Sequence, residues 1–286
     1  MEMINKTCDV FQVDSDIVQS VYKDQDNYLI EYDDCCVDRG CCAIYFCSND
    51  IYFPNTEEVF RKRIIEKNFF EWYGSRIKRA YKHIFVRDIF KQWYLGGINS
   101  EINTPESLVA LLQKETDGYK VTTVGSSAGG YAAILYGSQI GAERAIVFNP
   151  QFELNTLFDR SGESVNPLLY RFRNSDKSKY FDIVPFINSN MPIYYIFSDD
   201  SQWDISQRQY IGQREGVYDI PFNSSHHGIP FLKVALSTVL NLGDRELSKL
   251  SKKRHHPIFF TIKMVGIIKT VDGFVKQLYT AYRKRR

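Results

Sequence analysis

The chain has 286 residues, with 36 Lys and Arg against 34 Asp and Glu, 44% hydrophobic residues and 15% aromatics. A chain this long buries roughly 75% of its unfolded surface, so it needs no metal or disulfide staple to fold. The composition excludes wholesale disorder, collagen and coiled coil, and a formal net charge of +2 gives no reason to invoke nucleic acid.

The charge is unevenly spread. Residues 244–286 hold twelve Lys/Arg and three Asp/Glu, while residues 1–243 hold 24 and 31, so a mildly acidic body precedes a strongly basic tail. The start, MEMINKTCDVFQVDSD, lacks a basic segment followed by an apolar run, so no secretory signal is expected. No run of about 18 apolar residues suggests a membrane-spanning helix. The expected compartment is therefore the cytoplasm.

The first forty residues form an N-terminal extension. Weak alternation (Val10, Gln12, Val13, then Tyr28, Leu29, Ile30) predicts a short β-hairpin there. Cys35, Cys36, Cys41, Cys42 and Cys47 follow, with Cys8 apart. Adjacent cysteines do not reproduce the C-x2-C spacing that turns two sulfurs toward one metal, and no His lies near. They read as buried cysteines entering a strand, so no metal is called for, nor any cofactor.

From residue 41 to 243, short apolar runs alternate with helix-like stretches, which predicts a mostly parallel, doubly wound α/β sheet. The runs are 42–46, 83–87, 120–124, 144–148, 192–197 and 216–220, and the intervening helices fall at 57–70, 105–114, 128–140, 204–212 and 230–241. Nearly unbroken apolar runs suit strands covered on both faces. Ligands bind beyond the carboxyl ends of such strands, which would gather Asn49, Asp88, Ser127, Gln151, Asp200 and His227 at one edge. Residues 152–190 show no clear strand and suit a cap insertion, whose Arg160, Tyr170, Arg171, Phe172 and Arg173 could meet a polar or anionic substrate.

The strongest local signal is Gly125-Ser126-Ser127-Ala128-Gly129, a G-x-S-x-G between an apolar run and a small-residue helix. A sharp strand-to-helix turn lifts the central hydroxyl into the open, and flanking glycines let the two arms pass closely. Ser127 is the candidate nucleophile, with the Ala128 N–H aimed at a developing oxyanion. A second donor is expected from the backbone of Ser48 or Asn49. A serine needs a base, and the base an orienting acid. Of five histidines, only His226 and His227 follow the last core strand; His227, beside Gly228, is preferred. The acid should follow 192–197, with Asp200 and Asp204 evenly matched and Asp199 third; Asp204 could instead cap the next helix. Asp88 and Trp93, after the second run, and Gln151 are candidate substrate-binding residues.

These features resemble an α/β-hydrolase over roughly residues 40–243. FVRDIFKQWYLGG (85–97), GSSAGGYAAILYG (125–137), FNPQ (148–151) and the HG-x-P of His227 to Pro230 further resemble the small α/β-hydrolase-like proteins of bacterial capsule, exopolysaccharide and surface-glycan biosynthesis. That resemblance implies a serine esterase, deacetylase or acyltransferase acting on a glycan or its precursor. The alternative is a catalytically silent assembly protein for a membrane-associated glycan-synthesis complex. In one departure, Ser198 stands where such proteins usually carry a glycine two or three residues before the acid.

In the tail, Met264, Ile268, Val271, Val275, Leu278 and Tyr282 form one helical stripe, and Lys269, Lys276 and Arg283 recur every seven residues on another. A basic amphipathic helix of this kind suits an anionic membrane surface, with residues 252–286 attaching the protein to the inner face of the membrane.

Overall fold

A computed structural model describes residues 11–284, with side chains described through Tyr279. Cys8, Val10, Arg285 and Arg286, and the side chains of Tyr282 and Arg283, lie outside the described residues. Seven strands, β1 (Tyr28–Tyr32), β2 (Cys41–Phe46), β3 (Lys82–Val86), β4 (Lys120–Ser126), β5 (Arg144–Phe148), β6 (Ile193–Ser198) and β7 (Val217–Phe222), form one sheet in the order β1-β3-β2-β4-β5-β6-β7. Only β1 runs antiparallel; β2 to β7 pair in parallel. The helices in chain order are α1 (Asp16–Asp24), α2 (Glu57–Phe60, continued by a π-helical turn, Arg61–Glu66), α3 (Pro105–Thr116), α4 (Ala128–Gln139), α5 (Leu157–Arg160), α6 (Pro167–Phe172), α7 (Gln202–Ile211), α8 (Leu236–Leu240), α9 (Asp244–Leu250), α10 (Pro257–Val265) and α11 (Ile267–Lys284).

The apolar runs are strands because each feeds two cores. In β2, Cys42, Ile44 and Phe46 enter one cluster, while Ala43 and Tyr45, with Cys47 just beyond the strand, enter the other on the opposite face. Helix α4, buried from Ala128 to Ser138, packs on β2, β4 and β5.

Four expectations are corrected. The N-terminal hairpin is instead a helix and an edge strand: Val18 and Val21 bury one face of α1, and β1 adds antiparallel to β3. The weak alternation of Tyr28, Leu29 and Ile30 reflects a half-buried edge rather than a local strand pair. The predicted helix over 57–70 ends at Glu66. The cysteines are not uniformly buried: Cys42 and Cys47 are, but Cys35 is exposed. The tail is not one helix either. Gly266, at φ +82°, separates α10 from α11, so Met264 packs on the core while Ile268 points to solvent.

The basic segment is tied to the body. Arg144, fully buried at the start of β5, pairs with Asp244 at 2.8 Å and donates to the Leu242 carbonyl. Further on, His255 bridges in parallel to Phe222 at the end of β7. The insertion between β5 and β6 carries α5 and α6 and is held down by Tyr131 Oη donating to the Tyr180 carbonyl at 2.6 Å.

Steric contact at the β4–α4 bend sets the tightest constraint. A Cβ on Gly125 would lie 2.0 Å from the Gly129 carbonyl oxygen, and one on Gly129 2.3 Å from that of Phe46. Gly74, at an ordinary φ, has nothing within 4 Å of the same position. Gly125→Ala is therefore expected to destabilise the protein by about 3 kcal/mol in urea unfolding. Gly74→Ala should stay within about 0.5 kcal/mol of the parent.

Candidate active site

The bend leaves Ser127 at φ 52°, ψ −122°, a conformation that L-residues adopt only under constraint. Its N–H is fixed to the Phe148 carbonyl at 2.9 Å, and the residue is half-buried, with its hydroxyl reaching neighbours. Ala128 opens α4, where first-turn N–H groups have no intrahelical partner.

His227 Nε2 lies 3.0 Å from Ser127 Oγ, and His227 Nδ1 lies 2.7 Å from Asp204 Oδ1. Asp204 is fully buried and is an acceptor only, so Nδ1 carries the proton and Nε2 is left to accept from the serine. Asp204 stands in the first turn of α7, but it is not the cap: Ser201 is, its Oγ accepting from the Asp204 N–H at 3.4 Å. Asp200 is not at the imidazole, nor is Asp199; both pair with Arg254 on the surface, at 2.8 Å and 2.7 Å. The chain turns outward at Asp200 before α7 brings it back inward, and that excursion removes Asp200 from the site. His226 is exposed and contributes its backbone carbonyl, not its ring.

Gln151 joins the group directly. Its Nε2 donates to Ser127 Oγ at 3.3 Å, and its Oε1 accepts from Trp93 Nε1 at 3.1 Å. The indole thus orients the amide so that its donor faces the serine. Trp93 itself is only 5% exposed, which corrects its reading as a substrate-binding residue: it positions Gln151 instead. Asp88 is corrected too. Its carboxylate accepts from the N–H groups of Phe90, Gln92 and Tyr94, at 2.8–2.9 Å, and so shapes the loop that presents Trp93. Burial pushes its pKa up to about 6 while those N–H groups pull it down, and the carboxylate is buried beneath the loop rather than presented to a substrate.

The loop after β2 lies against the first turn of α4, as the close approach of the Phe46 and Cys47 carbonyls to Gly129 shows. The Ser48 N–H, one of two donors expected there, is already committed to Glu71 Oε2 at 2.5 Å, while Ser48 Oγ donates to Glu71 Oε1 at 2.9 Å. Burial raises the Glu71 pKa. Asn49, half-buried and next in sequence, has an N–H without a hydrogen-bond partner among the described residues.

Asn149, Ser198 and Glu71 escaped sequence reasoning as site-shaping residues. Asn149 Nδ2 donates to the Gly228 carbonyl and its Oδ1 accepts from the Ser198 N–H at 2.8 Å. Ser198 Oγ donates to the His226 carbonyl at 2.5 Å. These bonds clamp the histidine loop from both sides, and the serine found in place of glycine is part of the clamp. In the insertion, Arg171 pairs with Asp14 and Arg173 lies over Tyr170. Arg160 instead lies 4.7 Å over the Trp203 ring, which packs near-perpendicular to the His227 ring at 6.3 Å. Among the described residues no group of three or more His, Cys, Asp or Glu could hold a metal ion.

No family model and no curated protein matches the chain. Solved structures do resemble it. A protein of unknown function from Staphylococcus aureus subsp. aureus Mu50 shares 12% identity over 78% of this chain and 94% of its own, with a TM-score of 0.51. An S-formylglutathione hydrolase from Agrobacterium tumefaciens shares 11% over 79% and 88%, at 0.46. The capsule O-acetyltransferase of Neisseria meningitidis serogroup A shares 14% over 65% and 77%, at 0.45. At such identities the likeness is one of fold alone; the chain's own strand order and the strained serine between β4 and α4 are those of the α/β-hydrolase fold.

Proposed function

We propose that the protein is a serine acyl-transfer enzyme acting on an acyl ester of a glycan or glycan precursor. The observation that carries this reading is the continuous hydrogen-bonded path from Ser127 through His227 to the buried Asp204. Ser127 attacks the ester carbonyl while His227 Nε2 takes its proton. Asp204 holds the tautomer and stabilises the imidazolium. The Ala128 and Asn49 N–H groups receive the oxyanion, and Gln151 orients the serine. His227 then returns the proton to the departing alkoxide. Water resolves the acyl-enzyme in an esterase or deacetylase, and a sugar hydroxyl does so in an acyltransferase.

The glycan assignment is supported by the sequence resemblance of 85–97, 125–137 and 148–151 to surface-glycan proteins. The Arg160 guanidinium, which lies over the Trp203 ring that in turn neighbours His227, supports a polar or anionic substrate.

Fluorophosphonate labelling and p-nitrophenyl acetate hydrolysis test the chemistry. Ser127→Ala is expected to abolish labelling and to lower turnover by about 10⁴-fold or more. Asp204→Asn should cost on the order of 10⁴-fold through the wrong tautomer, whereas Asp200→Asn and His226→Ala should stay near wild type. Failure of the well-folded wild type to label would point instead to a silent assembly protein.

The clamp is tested separately. Asn149→Ala strands the buried Ser198 N–H and is expected to cost about 2 kcal/mol in urea unfolding, against about 1 kcal/mol for Ser198→Ala. Labelling should slow more in the first variant than in the second.

A further inference from the structure

Helix α11 is docked with its apolar side outward. Among the described residues its contact with the body is made by small or polar groups: Thr270 is buried, Gly273 presses on Val234, and Gln277 Oε1 accepts from the Lys233 N–H at 3.0 Å. Ile267, Ile268, Val271, Phe274, Val275 and Leu278 are 43–86% exposed. At 3.6 residues per turn they fall within roughly 120° of the circumference, between the docked side and a charged row of Lys269, Asp272 and Lys276, in which Lys276 pairs with Asp272. A surface helix of a globular protein ordinarily buries such an arc.

We propose that α11 is an interfacial anchor that lies along an anionic lipid bilayer, with its apolar arc at the headgroup–acyl boundary and its lysines at headgroup level. The charge selects this occupant. The segment 244–286 carries nine net positive charges, so a second copy would bring like charge against like, whereas anionic headgroups neutralise it. No helix among the described residues is long and apolar enough to cross a membrane, so the anchor lies on the bilayer. The body contact reaches the segment after the histidine loop: Lys233 is held by Gln277, and the Leu232 N–H donates to Thr261 of α10 at 3.3 Å. The surface assignment does not depend on the acyl-transfer reading.

Co-sedimentation of the full-length chain with vesicles tests it. Binding is expected to vesicles of phosphatidylcholine with one quarter phosphatidylglycerol, and to be weak with phosphatidylcholine alone or in 0.5 M NaCl. Val271→Glu with Val275→Glu, both exposed and so compatible with folding, should abolish binding while the melting temperature holds. Lys269→Gln should lower the partition coefficient by roughly fivefold. Recovery of the wild type in the supernatant with anionic vesicles overturns the proposal, as does binding that survives the glutamates. So does vesicle-free self-association that the glutamates abolish, which would assign the arc to a second copy. Fluorophosphonate labelling of the soluble glutamate variant, run alongside, reports the chemistry independently.

Discussion

Everything at the candidate site follows from two backbones touching. Where β4 turns into α4, the strand and the helix are so close that neither Gly125 nor Gly129 has room for a methyl group. That proximity forces the intervening Ser127 into its unusual dihedrals and raises the hydroxyl off the sheet edge. The strain is local, but the restraint is not. It is held by the whole of α4, which is buried along nearly its entire length between strands that are themselves buried on both faces. A short motif can position a reactive atom only because some of the best-packed elements of the molecule meet there.

The partners of that atom come from far along the chain, and their alignment rests on polar groups that make few apolar contacts. Gln151 is aimed by Trp93, and Trp93 by a loop wound around the Asp88 carboxylate. The histidine loop is pinned by Asn149 and Ser198. Each of these side chains has its hydrogen-bonding capacity directed to a named neighbour, which fixes orientation more sharply than packing alone. The site is thus a set of loops made rigid by buried polar contacts over an apolar scaffold.

Much of this was legible in the sequence. The strands announced themselves because double-sided burial leaves unbroken apolar runs, and the bend announced itself because only glycines fit. His227 followed from chain order and the adjacent Gly228. What remained hidden depends on where the backbone travels between elements. Asp200 and Asp204 are equivalent by type and nearly so by position, and they separate only because Ser201 starts a helix that swings the second inward. Asp88 looked available because residue type does not reveal three backbone donors folded around it. The N-terminal segment misled because a half-buried edge strand and a nine-residue helix each leave a weak periodic trace. The committed Ser48 N–H was out of reach for the same reason: Glu71 arrives from 23 residues away.

The Arg144–Asp244 pair separates the compositional boundary of this chain from its mechanical one. Composition changes at residue 244, and a truncation designed from charge alone would cut there. Such a cut would strip the counter-ion from a guanidinium with no access to water, and would unzip the His255 bridge from the outer strand. The residues that follow the acidic body are therefore partly a buttress for the sheet. The first point at which the polypeptide can be shortened without disturbing that buttress is the left-handed glycine at 266, beyond which only the outward-facing helix would be lost.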